Sequence, residues 1–182
     1  MPFTDLVRGA SLRGSPAQLG VVPSLRLGRA IGTLWRRSRP GVQIPTIVVG
    51  RTRGAAEATA RDGLVAGLVA SGFVVADLGI VESERFTGAL RQGPAAADVA
   101  ARLWPVVGGV LIAATGDSLG VMLFDGLRPV VGPRLTELAR TADAGAFCVH
   151  GGGQVVLVDT RTLPPAAPLE ERGDETLDDA TA

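Results

Sequence analysis

The order of segments predicts a three-layer α/β/α domain around a central mixed, largely parallel sheet. Three observations carry that expectation. Short β-branched runs alternate with longer amphipathic runs, the pattern of strands crossed over by helices. Gly and Pro punctuate the joints between them. The 182 residues are 46% apolar and 20% charged, enough apolar material for one buried core.

Ser24 to Arg37 reads as a helix. Pro23-Ser24 is its start signal, Leu27, Ala30, Ile31, Leu34 and Trp35 form one apolar face, and Arg36 and Arg37 suit its C-terminal dipole. Pro40-Gly41 stops it. Thr46 to Val49, ending at Gly50, is a buried strand. Ala55 to Ser71 is the next helix, with Leu64, Val65, Leu68 and Val69 inward, Glu57 and Arg61 paired outside, and Gly72 after its end. Phe73 to Ala76 is a strand. Ser83 caps a short helix carrying Phe86, Ala89 and Leu90, and Ala95 to Leu103 forms a further turn or two. Val106 to Ala113 is the most apolar strand, central and covered on both faces. Val121 to Phe124 is a strand followed by the turn signal Asp125-Gly126. Pro133 opens a helix through Ala142, and Gln154 to Asp159 is the last strand.

The α/β domain therefore spans 1–163. From Pro164 onward the composition changes, with six acids against Arg172 alone, a net of −5 that leaves +5 on the remainder. Residues 164–182 have too few large apolar side chains to offset their ordering entropy and read as an acidic disordered tail. Such a tail solubilises, recruits a partner or shields a basic patch.

Composition excludes several chemistries. Net charge is zero, unlike a dedicated nucleic-acid binder. All 18 basic residues are Arg and there is no Tyr, so Lys Schiff-base chemistry and a Tyr nucleophile are ruled out. With one Cys, Cys148, and one His, His150, no internal disulfide and no Cys/His zinc site can form. Cys148 reads as a small buried residue and His150 as part of a Gly-rich loop. The longest apolar stretch, Val106 to Ala114, is half a membrane span, and the N-terminus lacks a signal-peptide pattern, so a cytoplasmic protein without a membrane partner is expected.

Ligands of such folds gather at the carboxyl ends of strands. Three loops there carry chemistry: Phe3 to Gly9, Gly50 to Gly54, and Ala114 to Gly120. They offer Arg8, Arg51 and Arg53 as phosphate forks or as solvated surface residues, and Thr115 and Ser118 as hydroxyls or as turn formers beside Asp117.

The order of these segments resembles the first domain of the α-D-phosphohexomutases, the phosphoglucomutase and phosphomannomutase enzymes. The likeness runs from Phe3 to Asp143 and rests on Phe3-Thr4-Asp5-Leu6-Val7-Arg8-Gly9, Leu27-Gly28-Arg29-Ala30-Ile31-Gly32, Gly50-Arg51-Thr52-Arg53, Gly63 to Gly67, Ala76-Asp77-Leu78-Gly79, Gly108 to Ile112 and Phe124-Asp125-Gly126. The resemblance implies that Thr115 stands at the family's phosphoserine, a degenerate catalytic position, with Arg8, Arg51, Arg53 and Ser118 as phosphate contacts. Gly116 stands where the family has a histidine and Met122 where it has an acid–base lysine. The family's magnesium is held by a later domain that this sequence does not match, so no cofactor is expected in this chain.

Two functions follow as expectations. One is a catalytically silent, single-domain relative with a binding, regulatory or structural role and a weak site for phosphate or sugar phosphate. Its surface toward the family's other domains would be covered by a second copy or a partner chain, with Leu6, Leu119 and Met122 as an apolar patch. The other is one component of a split phosphohexomutase, an isomerase acting by intramolecular phosphoryl transfer, with Thr115 as acceptor. An unrelated α/β ligand-binding module is a third reading.

Overall fold

A computed structural model describes residues 1–42, 44–92, 105–148 and 150–158. The acidic tail and the turns expected over 95–103 lie outside the described residues.

The chain opens with a single 3₁₀ turn, Phe3–Leu6, followed by two short strands, β1 (Val7–Arg8) and β2 (Ser11–Gly14). This hairpin was not expected from the sequence, because two to four residues are too few to display a period of two. Helix α1 (Val21–Ser38), β3 (Thr46–Arg51), α2 (Ala55–Ala70), β4 (Val74–Ile80) and α3 (Ser83–Gln92) follow, then β5 (Val106–Thr115), β6 (Ser118–Asp125), β7 (Arg128–Pro129), α4 (Pro133–Ala144) and β8 (Gln154–Leu157). The expected helices and strands are all present, most of them extended by a few residues. Glu82, not Ser83, supplies the carbonyl that accepts the first bond of α3, from the Phe86 N–H.

The strands form one mixed sheet in the order β1-β2-β6-β5-β3-β4-β8, with β7 on β6. Its core, β5-β3-β4-β8, is parallel, and the β1-β2-β6-β5 flank is antiparallel. Alternate residues of each strand feed two cores. On one face Leu12, Val121, Ile112, Val49 and Val75 pack with α1, α2 and α4. On the other, Val48, Ala76 and Leu111 pack with Phe86, Ala89 and Leu90 of α3. Strand β5 contributes to both, which accounts for its nearly continuous apolar sequence.

Helices α1 and α2 meet at their backbones. A Cβ on Gly28 would fall on the Leu64 carbonyl, and one on Gly67 on that of Leu25. The N-terminus is sealed from far away in sequence: the Phe3 and Thr4 N–H groups donate to the two carboxylate oxygens of Asp143 at 2.6 and 3.2 Å. Arg36 does more than favour the end of its own helix. It donates to the Ser71 and Gly72 carbonyls beyond α2 and lies 5.1 Å over the Phe73 ring.

The expected pair of Glu57 and Arg61 does not form. Glu57 is buried at 3% exposure in the first turn of α2, and Arg61 bonds Asp62 and the buried Asp77. Helical spacing allowed the Glu57 pair, but the Glu57 carboxylate takes a hydrogen bond from the Thr52 hydroxyl at 3.1 Å, and the Arg61 guanidinium goes to Asp77 instead. Leu6 and Leu119 likewise form no surface patch, since both are buried in the first core.

Candidate functional site

The connections reverse direction around β3: α2 carries the chain to β4 on one side, and the segment containing α3 returns it to β5 on the other. At the carboxyl ends of the parallel strands, where such folds take their ligands, a crevice opens between the exits of β3 and β4. The Thr52 N–H donates to the Ile112 carbonyl at 2.9 Å, and the Val81 N–H to that of Arg51 at 2.9 Å. These bonds fix the exits of β3, β4 and β5 against one another.

Thr52 organises this corner. Its hydroxyl donates to Glu57 Oε1 at 3.1 Å and accepts the Ala114 N–H at 3.3 Å. The buried carboxylate thus sets the hydroxyl, and the hydroxyl ties the loop after β3 to β5 one residue before Thr115. Sequence reading missed Thr52 and Glu57 because each residue type is ordinary at a helix start.

Beside this corner lies a pocket of about 290 Å³ lined by Thr52, Arg53, Ile80, Val81, Glu82 and Arg85. Two guanidinium groups and one carboxylate border it, a net positive charge suited to a small anion. Arg85 was also missed. Its signal was its place in the first turn of α3, where the helix dipole disfavours a cation.

The sequence-derived site residues fall in separate places. Arg53 reaches the pocket, whereas the Arg51 guanidinium donates to the Thr52 carbonyl at 3.1 Å. Arg8 lies in the row Arg8–Ser11–Met122–Leu111, on the outer strand of the sheet. Thr115 is four residues further along β5 and three strands away, about 14 Å in each direction. Arg8 donates instead to its own neighbour's carbonyl, that of Val7, at 2.8 Å. The expectation that the arginines face Thr115 and Ser118 together is therefore corrected for Arg8: the antiparallel flank carries it to the far edge.

Thr115 and Ser118 pair directly across a two-residue hairpin. Gly116 has φ +59°, and no described non-glycine residue has positive φ, so Gly116-Asp117 forms a type II′ turn. Thr115 is exposed and Ser118 half-buried. Where a catalytic loop was expected, the backbone closes as tightly as a hairpin can. Met122 lies within β6, opposite Ser11 and Leu111, half-buried against the second core.

Among the described residues no three His, Cys, Asp or Glu side chains lie together. No described helix is long and apolar enough to cross a membrane. Asp125 lies elsewhere, at the end of β6. Burial pushes the pKa of Asp125 up, but hydrogen bonds and charge from Arg39 and Arg134 outweigh burial and hold it below its ordinary value of 3.8.

No protein-family model matches the chain. No curated protein matches it in sequence. Solved structures do. A phosphoglucomutase/phosphomannomutase family protein from Burkholderia thailandensis superposes with a TM-score of 0.75 at 20% identity, over 87% of this chain and 34% of that one. A Thermus thermophilus protein described as a phosphomannomutase superposes with a TM-score of 0.56 at 24% identity, over 88% of this chain and 34% of that one. The chain thus spans about a third of the length of the structures it matches, and its fold is the α/β/α fold of that third of the phosphoglucomutase/phosphomannomutase structures.

Proposed function

We propose that this chain is a catalytically silent relative of the phosphohexomutases that keeps a weak anion site and serves as a binding domain. The observation that carries the reading is the two-residue turn Gly116-Asp117 between Thr115 and Ser118. A hydroxyl that accepts a phosphoryl group needs an in-line approach and a nearby proton acceptor. The hairpin leaves no loop to wrap the group, and Met122, four residues beyond Ser118 along β6, has no proton to exchange. Phosphoryl transfer further depends on concentrated positive charge at the reacting oxygens, and Arg8 stands too far along the sheet to add to it.

The anion site is the pocket of Arg53 and Arg85. With Glu82 opposing two arginines, its affinity for phosphate is millimolar, about −4 kcal/mol. Titrating inorganic phosphate or a hexose phosphate while following amide shifts tests it. Shifts should centre on Thr52 to Gly54 and Ile80 to Arg85, weaken in Arg53→Ala and persist in Arg8→Ala. Silence up to tens of millimolar would remove the anion site from the proposal.

A second reading, a split phosphohexomutase, draws on the share of the matched structures that the chain spans and on the exposed Thr115. A coupled assay for hexose 1- and 6-phosphate interconversion separates the two. The chain with magnesium, alone and mixed with a protein supplying the remaining phosphohexomutase domains, should give no turnover above background. Turnover that vanishes in Thr115→Ala would establish the second reading and overturn the first.

A further inference from the structure

The last turns of α1 and the first turns of α4 stand apart above β6, and the space between them is a cleft of about 280 Å³. Leu34, Trp35, Leu123 and Leu138 supply apolar walls, and Arg37, Arg134 and Glu137 border the cleft with charge. It lies on the α1–α4 side of the sheet, in the first core, away from the crevice of Arg53.

The charge of this corner is unbalanced. Asp125 holds Arg134 at 2.7 Å through one carboxylate oxygen and Arg39 through the other. Arg37 makes no hydrogen bond or ion pair among the described residues. Of the charged groups that line the cleft, two guanidinium groups, Arg37 and Arg134, face a single carboxylate, Glu137. Arg134 also stands in the first turn of α4, where the helix dipole is itself positive and disfavours a cation. The corner gains from an added anion.

The volume lies just under the range of ligand pockets, which begins near about 300 Å³, so one small molecule fits and a nucleotide does not. The half-buried Leu34 and the buried Trp35, Leu123 and Leu138 give the cleft an apolar floor for a hydrocarbon ring, and the arginines offer paired donors for a carboxylate. We propose that the cleft is a binding site for a small aromatic carboxylate, its ring among Leu34, Trp35, Leu123 and Leu138 and its carboxylate at Arg37 and Arg134. The apolar walls set the ring's depth and the arginines set its direction.

The test is a titration of the full chain with 2-naphthoate, followed by backbone amide and indole shifts. Saturable shifts are expected in Ile31 to Ser38, around Leu123 and Val130, and in Arg134 to Leu138. Affinity should fall about tenfold in Arg37→Glu and for the neutral 2-naphthamide. Leu34→Glu, which places a like charge in the slot, should abolish binding, and Arg53→Ala should leave it unchanged. The exposed Arg37 and half-buried Leu34 keep both variants folded, which the unchanged remainder of the spectrum verifies. Absence of a saturable shift at millimolar ligand, shifts centred on Arg53, or equal affinity for acid and amide would each overturn the proposal.

Discussion

Asp125 shows how one carboxylate spans three elements. It sits at the end of β6, bonds Arg39 just beyond α1, and bonds Arg134 at the start of α4. Its folded pKa is depressed, so its ionised form favours the fold. The contribution is complete above the ordinary value of 3.8 and is lost as pH falls through the lower folded value. Asp125→Asn should therefore cost about 1.5 kcal/mol at neutral pH, and the gap to the parent should close under acid denaturation below pH about 4. An equal gap at every pH would show that the side chain acts by shape alone. Thr52 is a second such residue. Thr52→Val takes the hydroxyl donor from the buried Glu57 carboxylate and should lower stability by about 2 kcal/mol, with Thr52→Ser restoring most of it. Chemical denaturation reads both. Equal stability of the Val and Ser variants would rule out the hydrogen bonds as the cause.

Among elements, the tightest joint is α1 on α2, where glycines bring the backbones together. Gly67→Ala places a methyl group against the Leu25 carbonyl and should destabilise by roughly 1–3 kcal/mol, or a few degrees in Tm at this chain length. The helices were readable because apolar residues recur every three to four positions, as Leu27, Ala30, Ile31 and Trp35 do, all of them buried. Strands β3 and β5 were readable as unbroken β-branched or apolar runs. The hairpin β1–β2 was not, because its few residues carry no period and its place depends on β6, more than a hundred positions later. The same distance hid the true setting of Arg8. The motif placed it near Thr115 by sequence order, and only the strand pairing reveals the separation. Thr52, Glu57 and Arg85 were hidden for a different reason: their meaning lies in burial and in neighbours from other loops, which one-dimensional spacing does not encode. Arg53 was legible because a residue just after a buried strand must emerge at the sheet's carboxyl end.

On the scale of the whole molecule the sheet has unequal halves. The parallel core β5-β3-β4 is flanked by strands on both sides, whereas β1 and β8 are short edges, with Val155 and Leu157 of β8 exposed. Native-state hydrogen exchange should be slowest in Ile47 to Val49 and Val110 to Ile112, and fastest among strand residues in β1 and β8. Uniform protection across the sheet would contradict this gradient. The bond between the first residues and Asp143 has a consequence in time. On the ribosome Phe3 and Leu6 are made at once, but their clasp is 140 residues away. At about 5–20 residues per second it reaches them only after roughly 7–28 s. Through that interval two large apolar side chains have no finished seat, so a nascent-chain holding factor has a long opportunity at Phe3 to Leu6, and a pause in translation before Asp143 would prolong their exposure.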